Sequence, residues 1–261
     1  MFKPEESTPY LGHEPREIGG IKIGIEKTPF WISSQNPPIQ IKIACDYVLN
    51  LFRLPMIHYF LFLDDHKELF PKRFGVTKCD HFSVQTIGKF PTDELKYVLE
   101  KVQVSELLLL SLEISNDFEL GFVQFSICEL KIFRAFWITK ETFLAMDCAR
   151  IDLEYNRQLP IREFVSQWLS SRNTRFKWLR MSWEKWDVNW GKGFKPMECN
   201  PAIRGRYFRM GYNKLDCEKG IDFLRDDALL ATVVVWRNYR IFFVVWHKRY
   251  QPDTDGLPWA Y

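Results

Sequence analysis

Apolar and polar residues alternate at five places along the chain: His81–Ile87, Glu106–Ile114, Glu129–Ala135, Ala149–Tyr155 and Phe176–Trp183. Alternation with period two marks a strand with one buried face. The starts of these runs lie 25, 23, 20 and 27 residues apart. Between them the period changes. Pro91–Val102 carries Leu95, Val98, Leu99 and Val102 on one stripe, and Pro160–Ser170 does the same with Ile161, Phe164, Val165, Trp168 and Leu169. Spacings of three and four predict amphipathic helices. Each opens with proline, whose missing N–H costs nothing at the first helical position. A third helix is predicted after Thr139, a residue able to cap free N–H groups, with Phe143, Leu144 and Met146 available for its buried side. The run at 149–155 is the clearest strand. Ile151, Leu153 and Tyr155 fall on one side, and Arg150, Asp152 and Glu154 on the other.

A strand–helix unit of about 20–30 residues has the period of leucine-rich and related solenoids. The predicted fold is therefore α/β: a short, irregular, leucine-rich-repeat-like solenoid with parallel, adjacent strands, closed by a C-terminal β-hairpin. The charged strand face looks outward or lines a binding concavity. The closing hairpin is read from Ala228–Trp236 and Tyr239–Trp246, separated by Arg237 and Asn238. A two-residue link with Asn238 at positive φ would pair Trp236 with Tyr239, Val234 with Ile241 and Leu229 with Trp246. Upstream, residues 1–40 form an irregular segment with prolines at 4, 9, 15, 29, 37 and 38 and one strand-like run, Ile21–Ile25. Gln40–Phe52 reads as a helix and His58–Leu63 as a strand. The chain thus divides into an irregular segment, 1–40, and a domain, 41–261, with its hairpin at 221–247.

Composition narrows the chemistry. Hydrophobic residues at 46% and aromatics at 16% argue for an ordered core. A net charge of +3 is too mild to imply nucleic-acid binding by itself. No apolar leader follows Met1, and Leu107–Leu110 and Ala228–Trp236 fall well short of the about 18 residues that span a bilayer. A soluble cytoplasmic or nuclear chain with no membrane partner is expected. The six cysteines contain no C-x-x-C pair, so free thiols are expected rather than a zinc site. Among five histidines none sits in H-E-x-x-H, and no G-x-S-x-G, phosphate loop or G-x-G-x-x-G occurs. Asp64-Asp65-His66 reads as a solvated turn. The chain is not expected to be an enzyme, and no catalytic residue, cofactor or metal is assigned.

From Ser182 onward aromatics and cations interleave, and Gly191–Lys214 holds six Lys or Arg against one Glu. Trp, Tyr and Arg dominate protein-binding hot spots. Trp183, Trp186, Trp190, Arg204, Arg206, Tyr207 and Arg209 are accordingly the candidate partner-binding residues. Two alternatives stand beside this reading. The stretch 183–214 could clamp phosphates and stack bases, though the low overall charge disfavours nucleic acid, or it could cap the last repeat.

The stretch Ile221–Val233 resembles the F-D-I-R-R-x-D-G-T-x-A-T-I signature of the type 2 F-box-associated domain, a family greatly expanded in nematodes. Asp222, Arg225, Asp227, Ala231 and Thr232 match identically, and Ile221, Phe223 and Val233 conservatively. Phe242–His247 is similar to the closing strand of that family. Phe164, Trp168 and Leu179, then Trp137-Ile138-Thr139, then Glu94, Leu95, Val98 and Leu99 fit its earlier repeats. The resemblance spans about residues 40–247. It implies the substrate-recognition part of a ubiquitin-ligase receptor, which binds a protein target and has ligase subunits as further partners if a divergent F-box exists. Two departures stand out. Ala228 occupies the usual glycine of an Asp-Gly turn, so another turn geometry is expected. No clear F-box is visible: Phe52-Arg53-Leu54-Pro55 echoes its opening, but only six residues separate Pro55 from Phe62 and a strand is expected there.

Overall fold

A computed structural model of the chain describes residues 16–18, 21–23, 43, 46–47, 50, 58–62, 70–156, 158–182, 188–237, 239–251, 254 and 256–260. Two compact units can be distinguished. The first comprises Met1–Met56 and Asp65–Val76, and the second Ile57–Asp64 and Thr77–Tyr261. The sequence-based boundary at residue 40 falls inside the first unit. That unit shows a short antiparallel pair, β1 (Arg16–Ile18) with β2 (Ile21–Ile23), and one helical turn, α1 (Pro71–Phe74). Gly75 ends α1 at φ 80°, a left-handed cap that glycine adopts without strain.

A mixed nine-stranded sheet organises the second unit. Its parallel part runs β3 (His58–Phe62), β4 (Lys78–Lys89), β5 (Gln103–Glu113), β6 (Glu129–Ile132), β7 (Arg150–Leu153) and β8 (Trp178–Ser182), each beside the next. The five strands predicted from alternation are all present, parallel and adjacent. Helices α2 (Thr92–Lys101), α3 (Lys140–Leu144) and α4 (Ile161–Ser170) occupy the predicted crossovers. Thr139 does cap α3, its hydroxyl accepting the Thr142 N–H at 3.2 Å. Pro91 and Pro160 stand one residue earlier than expected, at the N-cap.

Beyond β8 the pairing turns antiparallel. The sheet continues through β13 (Arg240–Trp246), β12 (Leu230–Trp236) and β11 (Ile221–Leu224). A separate hairpin, β9 (Tyr207–Met210) with β10 (Asn213–Asp216), turns at Gly211.

Two cores share this sheet. On one face Phe243 meets Phe164, Trp168 and Phe176 at 6.2, 5.4 and 5.6 Å, and Phe143 joins through Phe164 at 5.0 Å. Rings from α3, α4 and β13 therefore interlock on the helical side. On the other face Phe242, Val244 and Trp246 pack with Leu230 and Val234 against Phe208, Met210, Leu215 and Cys217 of the hairpin region. Successive β13 residues thus enter opposite cores. This is why Ile241–Trp246 reads as an unbroken apolar run rather than an alternating one.

Three expectations need correction. Tyr155 leaves the strand at φ 51° and is 71% exposed, because β7 ends at Leu153. The hairpin register is one residue longer than predicted: Trp236 pairs with Arg240, Val234 with Phe242 and Leu230 with Trp246. Arg237 takes a positive φ of 48° and Tyr239 stays in the loop, its N–H bonded to the Trp236 carbonyl at 3.2 Å. The predicted register would have turned the opposite faces of the two strands towards each other. The observed one sets Trp246 beside Leu230 and Thr232 in the second core. Finally, Ala228 keeps the left-handed geometry of the turn, at φ 65°, with its N–H on the Arg225 carbonyl at 2.9 Å.

Candidate functional site

The helix-free face of the parallel strands carries charge. Register places Glu129, Arg150 and Trp178 in one row and Lys131, Asp152 and Arg180 in the next. Cross-strand ion pairs connect them: Arg150 to Glu129 at 3.0 Å, Arg180 to Asp152 at 2.5 Å and to Glu154 at 3.4 Å, and Arg240 to Glu154 at 3.2 Å. Lys131 adds a 2.6 Å contact to Glu129. Partial burial works to raise the Glu129 carboxyl, but Lys131 and Arg150 hold it below the usual carboxylate range. Burial likewise opposes charge on Arg180, and Asp152 with Glu154 more than offsets it. Every charge in this ladder has a partner of opposite sign. Asp152 does not look outward as expected; it is buried under Arg180.

A second polar group lies inside the protein. Arg204 is 0% exposed, and its Nε donates to both Asp222 oxygens at 3.0 and 2.8 Å. Its Nη1 and Nη2 donate to the Gly205 and Cys217 carbonyls. Asp222 also accepts the Thr232 hydroxyl at 2.6 Å, and Thr232 in turn accepts the indole N–H of Trp246 at 2.8 Å. The guanidinium lies 5.1 Å from the Trp246 ring centre. A buried ion pair is tolerated only when its polar atoms find further partners, and here each nitrogen of Arg204 and each oxygen of Asp222 has at least one. Gly220 makes room for it: a Cβ there would lie 2.3 Å from Thr232 Cγ2.

Arg225 and Asp227 form a clamp. Arg225 binds Asp227 through two nitrogens at 2.9 and 2.8 Å, reaches the Asn173 carbonyl at 2.9 Å and lies 4.5 Å from the Trp168 ring centre. It thereby ties the β11–β12 turn to the end of α4. The hydrogen bonds from Arg225 hold the Asp227 carboxyl down at about 2. Thus Asp222, Thr232, Arg225 and Asp227 serve the architecture of the domain.

The candidate partner-binding residues separate in space. Trp183 and Trp186 lie outside the described residues. Trp190 is buried against Phe194 and Phe223, at 5.8 and 5.4 Å, and so is withdrawn from any contact surface. Arg204 is withdrawn with it, because its charge is spent on Asp222. Arg206, Tyr207 and Arg209 remain accessible on the outer face of the β9–β10 hairpin. Arg206 pairs with Asp216 and Glu218 at 2.6 and 3.1 Å. Two members of this face escape a local reading of the stretch. Lys214 is brought opposite Arg209 by the hairpin register, and Trp259 is brought beside Lys214 by a parallel bridge. Tyr212, at the hairpin tip, is 86% exposed. The Gly211–Tyr212 turn was the only local signal for this hairpin.

Among the described residues no three of His, Cys, Asp or Glu are placed to hold a metal. His58 and His81 lie 4.5 Å apart, and burial followed by the charge of its neighbour lowers the His58 pKa. Cys79, Cys128, Cys148, Cys199 and Cys217 are free thiols. Burial raises Cys79 to about 12 and Cys148 to about 11, so these two are poor nucleophiles. Among the described residues no helix is long and apolar enough to cross a membrane.

Two proteins of Caenorhabditis elegans, both uncharacterized, resemble the chain. Uncharacterized protein F59B2.8 is 26% identical over 179 residues, covering 62% of this chain and 41% of that protein. Uncharacterized protein F59B2.9 is 24% identical over 194 residues, covering 70% of this chain and 45% of that protein. The chain therefore matches less than half the length of each. No family model matches it. No solved structure matches it.

Proposed function

We propose that this chain is a non-catalytic protein-interaction domain, similar to the substrate-recognition part of an F-box receptor, and that its strand–helix units form a short, irregular, leucine-rich-repeat-like solenoid. The observation that carries the reading is the convergence of the signature residues. Asp222 and Thr232 join Arg204 and Trp246 in a network that holds the C-terminal strands to one another, and Arg225 with Asp227 ties the β11–β12 turn to the end of α4. A motif that recurs across a family for architectural reasons is expected to look like this. The nematode origin of both relatives agrees with the family resemblance. In this reading the domain acts by proximity in the cytoplasm or nucleus: it holds a protein target while other subunits of a ubiquitin ligase carry out the chemistry.

The test is affinity purification of the tagged chain from its native cells. Co-purification of cullin-ligase subunits with a protein that accumulates when the proteasome is inhibited is the expected result. A reproducible eluate lacking any ligase subunit would remove the receptor assignment. A pull-down with purified ligase adaptor sharpens the point. The chain is expected not to bind it tightly, and submicromolar binding abolished by Leu54→Asp without unfolding would make the segment after Gln40 a divergent F-box.

A further inference from the structure

Arg209 and Lys214 stand directly opposite one another in the β9–β10 ladder. Like charges in that position repel and destabilise a strand pair. On the same side of the hairpin Arg206 meets Asp216 and Glu218. Arg209 instead donates to the Gly211 carbonyl at 3.1 Å, and Lys214 lies over Tyr207 and Trp259 at 5.3 and 4.8 Å. Among the described residues neither makes an ion pair. The strands' other face carries Phe208, Met210 and Leu215 into the core, so the two cations are fixed on the outside.

We infer that the outer face of the β9–β10 hairpin binds an acidic segment of a partner protein, its carboxylates bridging Arg209 and Lys214. This rests on the interaction-domain reading and supplies the partner's chemistry. Charge complementarity gives the sign: two opposed cations with no acid of their own among the described residues favour negative charge. The rings decide between partners. A nucleic acid would need Tyr207 and Trp259 as stacking platforms. Tyr207 already carries Arg206 at 5.2 Å and Lys214, while Trp259 carries Lys214 and meets Tyr207 at 5.8 Å in a T-shaped contact. Those ring faces are engaged by the chain's own cations, which leaves charge as the readable feature. Tyr212 at the tip offers apolar area beside it.

The test is fluorescence anisotropy with the full chain, using a labelled oligoglutamate peptide and, separately, a labelled oligothymidylate. Peptide binding that weakens as salt rises is expected, and it should fall at least about fivefold in the Arg209→Glu, Lys214→Glu double variant. Lys140→Glu, on a helix elsewhere, should leave it unchanged. Thermal melting guards the interpretation: Arg209→Glu alone turns a repulsive pair into an attractive one, so its midpoint should hold or rise while peptide affinity drops. No peptide binding, or binding indifferent to the double variant, overturns the assignment. So does tighter binding of oligothymidylate lost in the same variant, which would make the face a nucleic-acid surface. If the partners captured in cells survive the double variant, the interaction role stands and this face is not its site.

Discussion

The two halves of the sheet use ionic groups in opposite ways. On the parallel half, one face is apolar and covered by helices while the other holds a ladder of ion pairs that starts at Glu129, is partly exposed except at Asp152, and ends on Arg240 of the neighbouring β13. On the antiparallel half both faces are buried, and the central ion pair, Arg204 with Asp222, sits wholly inside. Partly exposed pairs are screened and contribute little. A buried pair is costly to break, because the survivor is left charged and dry. The same chemistry therefore tolerates change in one half and fixes the structure in the other.

The largest expected effect tests that contrast directly. Asp222→Ala strands Arg204 inside the protein and should cost about 3–5 kcal/mol in a denaturant titration. Replacing both partners with apolar residues, Arg204→Met with Asp222→Leu, should recover most of that loss, since neither charge is then left unpaired. If Asp222→Ala costs no more than a surface change, the interior network carries no weight. Trp168→Ala comes next, at about 3–5 kcal/mol, because the indole is buried between Phe243 and Arg225 where the halves meet. A change below about 1 kcal/mol would mean that the rings do not join the two halves.

Smaller effects sharpen the comparison. Ala228→Gly should stabilise by about 1 kcal/mol, since φ at 228 is left-handed and glycine adopts it freely. Arg150→Ala, in the charged ladder, should cost about 1 kcal/mol or less by the same titration. The last effect is a pH dependence. Asp227 titrates at about 2 in the folded protein, below the about 3.9 of an unfolded aspartate. Its contribution is therefore complete above the unfolded value and is lost as pH falls towards 2. Melting followed between pH 5 and 2 should show Asp227→Asn removing part of the acid-induced loss that the unaltered chain displays.

By itself the sequence determined the local elements of the parallel half. Alternation at Arg150–Leu153, the stripe of Ile161, Phe164, Val165 and Trp168, and the Thr139 cap are properties of neighbouring residues, so five strands and their helices could be read directly. The stretch Ile221–Val233 also stood out in the sequence, although what its polar residues hold together did not. Only the tertiary structure decided what depends on distant partners. Arg204 looked like a surface cation until Asp222, eighteen positions away, drew it inside. The continuous run Ile241–Trp246 concealed its own faces, because β13 serves two cores and alternation vanishes when both sides are buried. The hairpin register turned on Arg237 taking a positive φ, which adjacent composition does not dictate. Lys214 and Trp259 became neighbours through a bridge between segments far apart in the chain. Short-range periodicity reflects which side of an element avoids water. Which element covers that side, and which charge meets which, is settled only when the chain closes on itself.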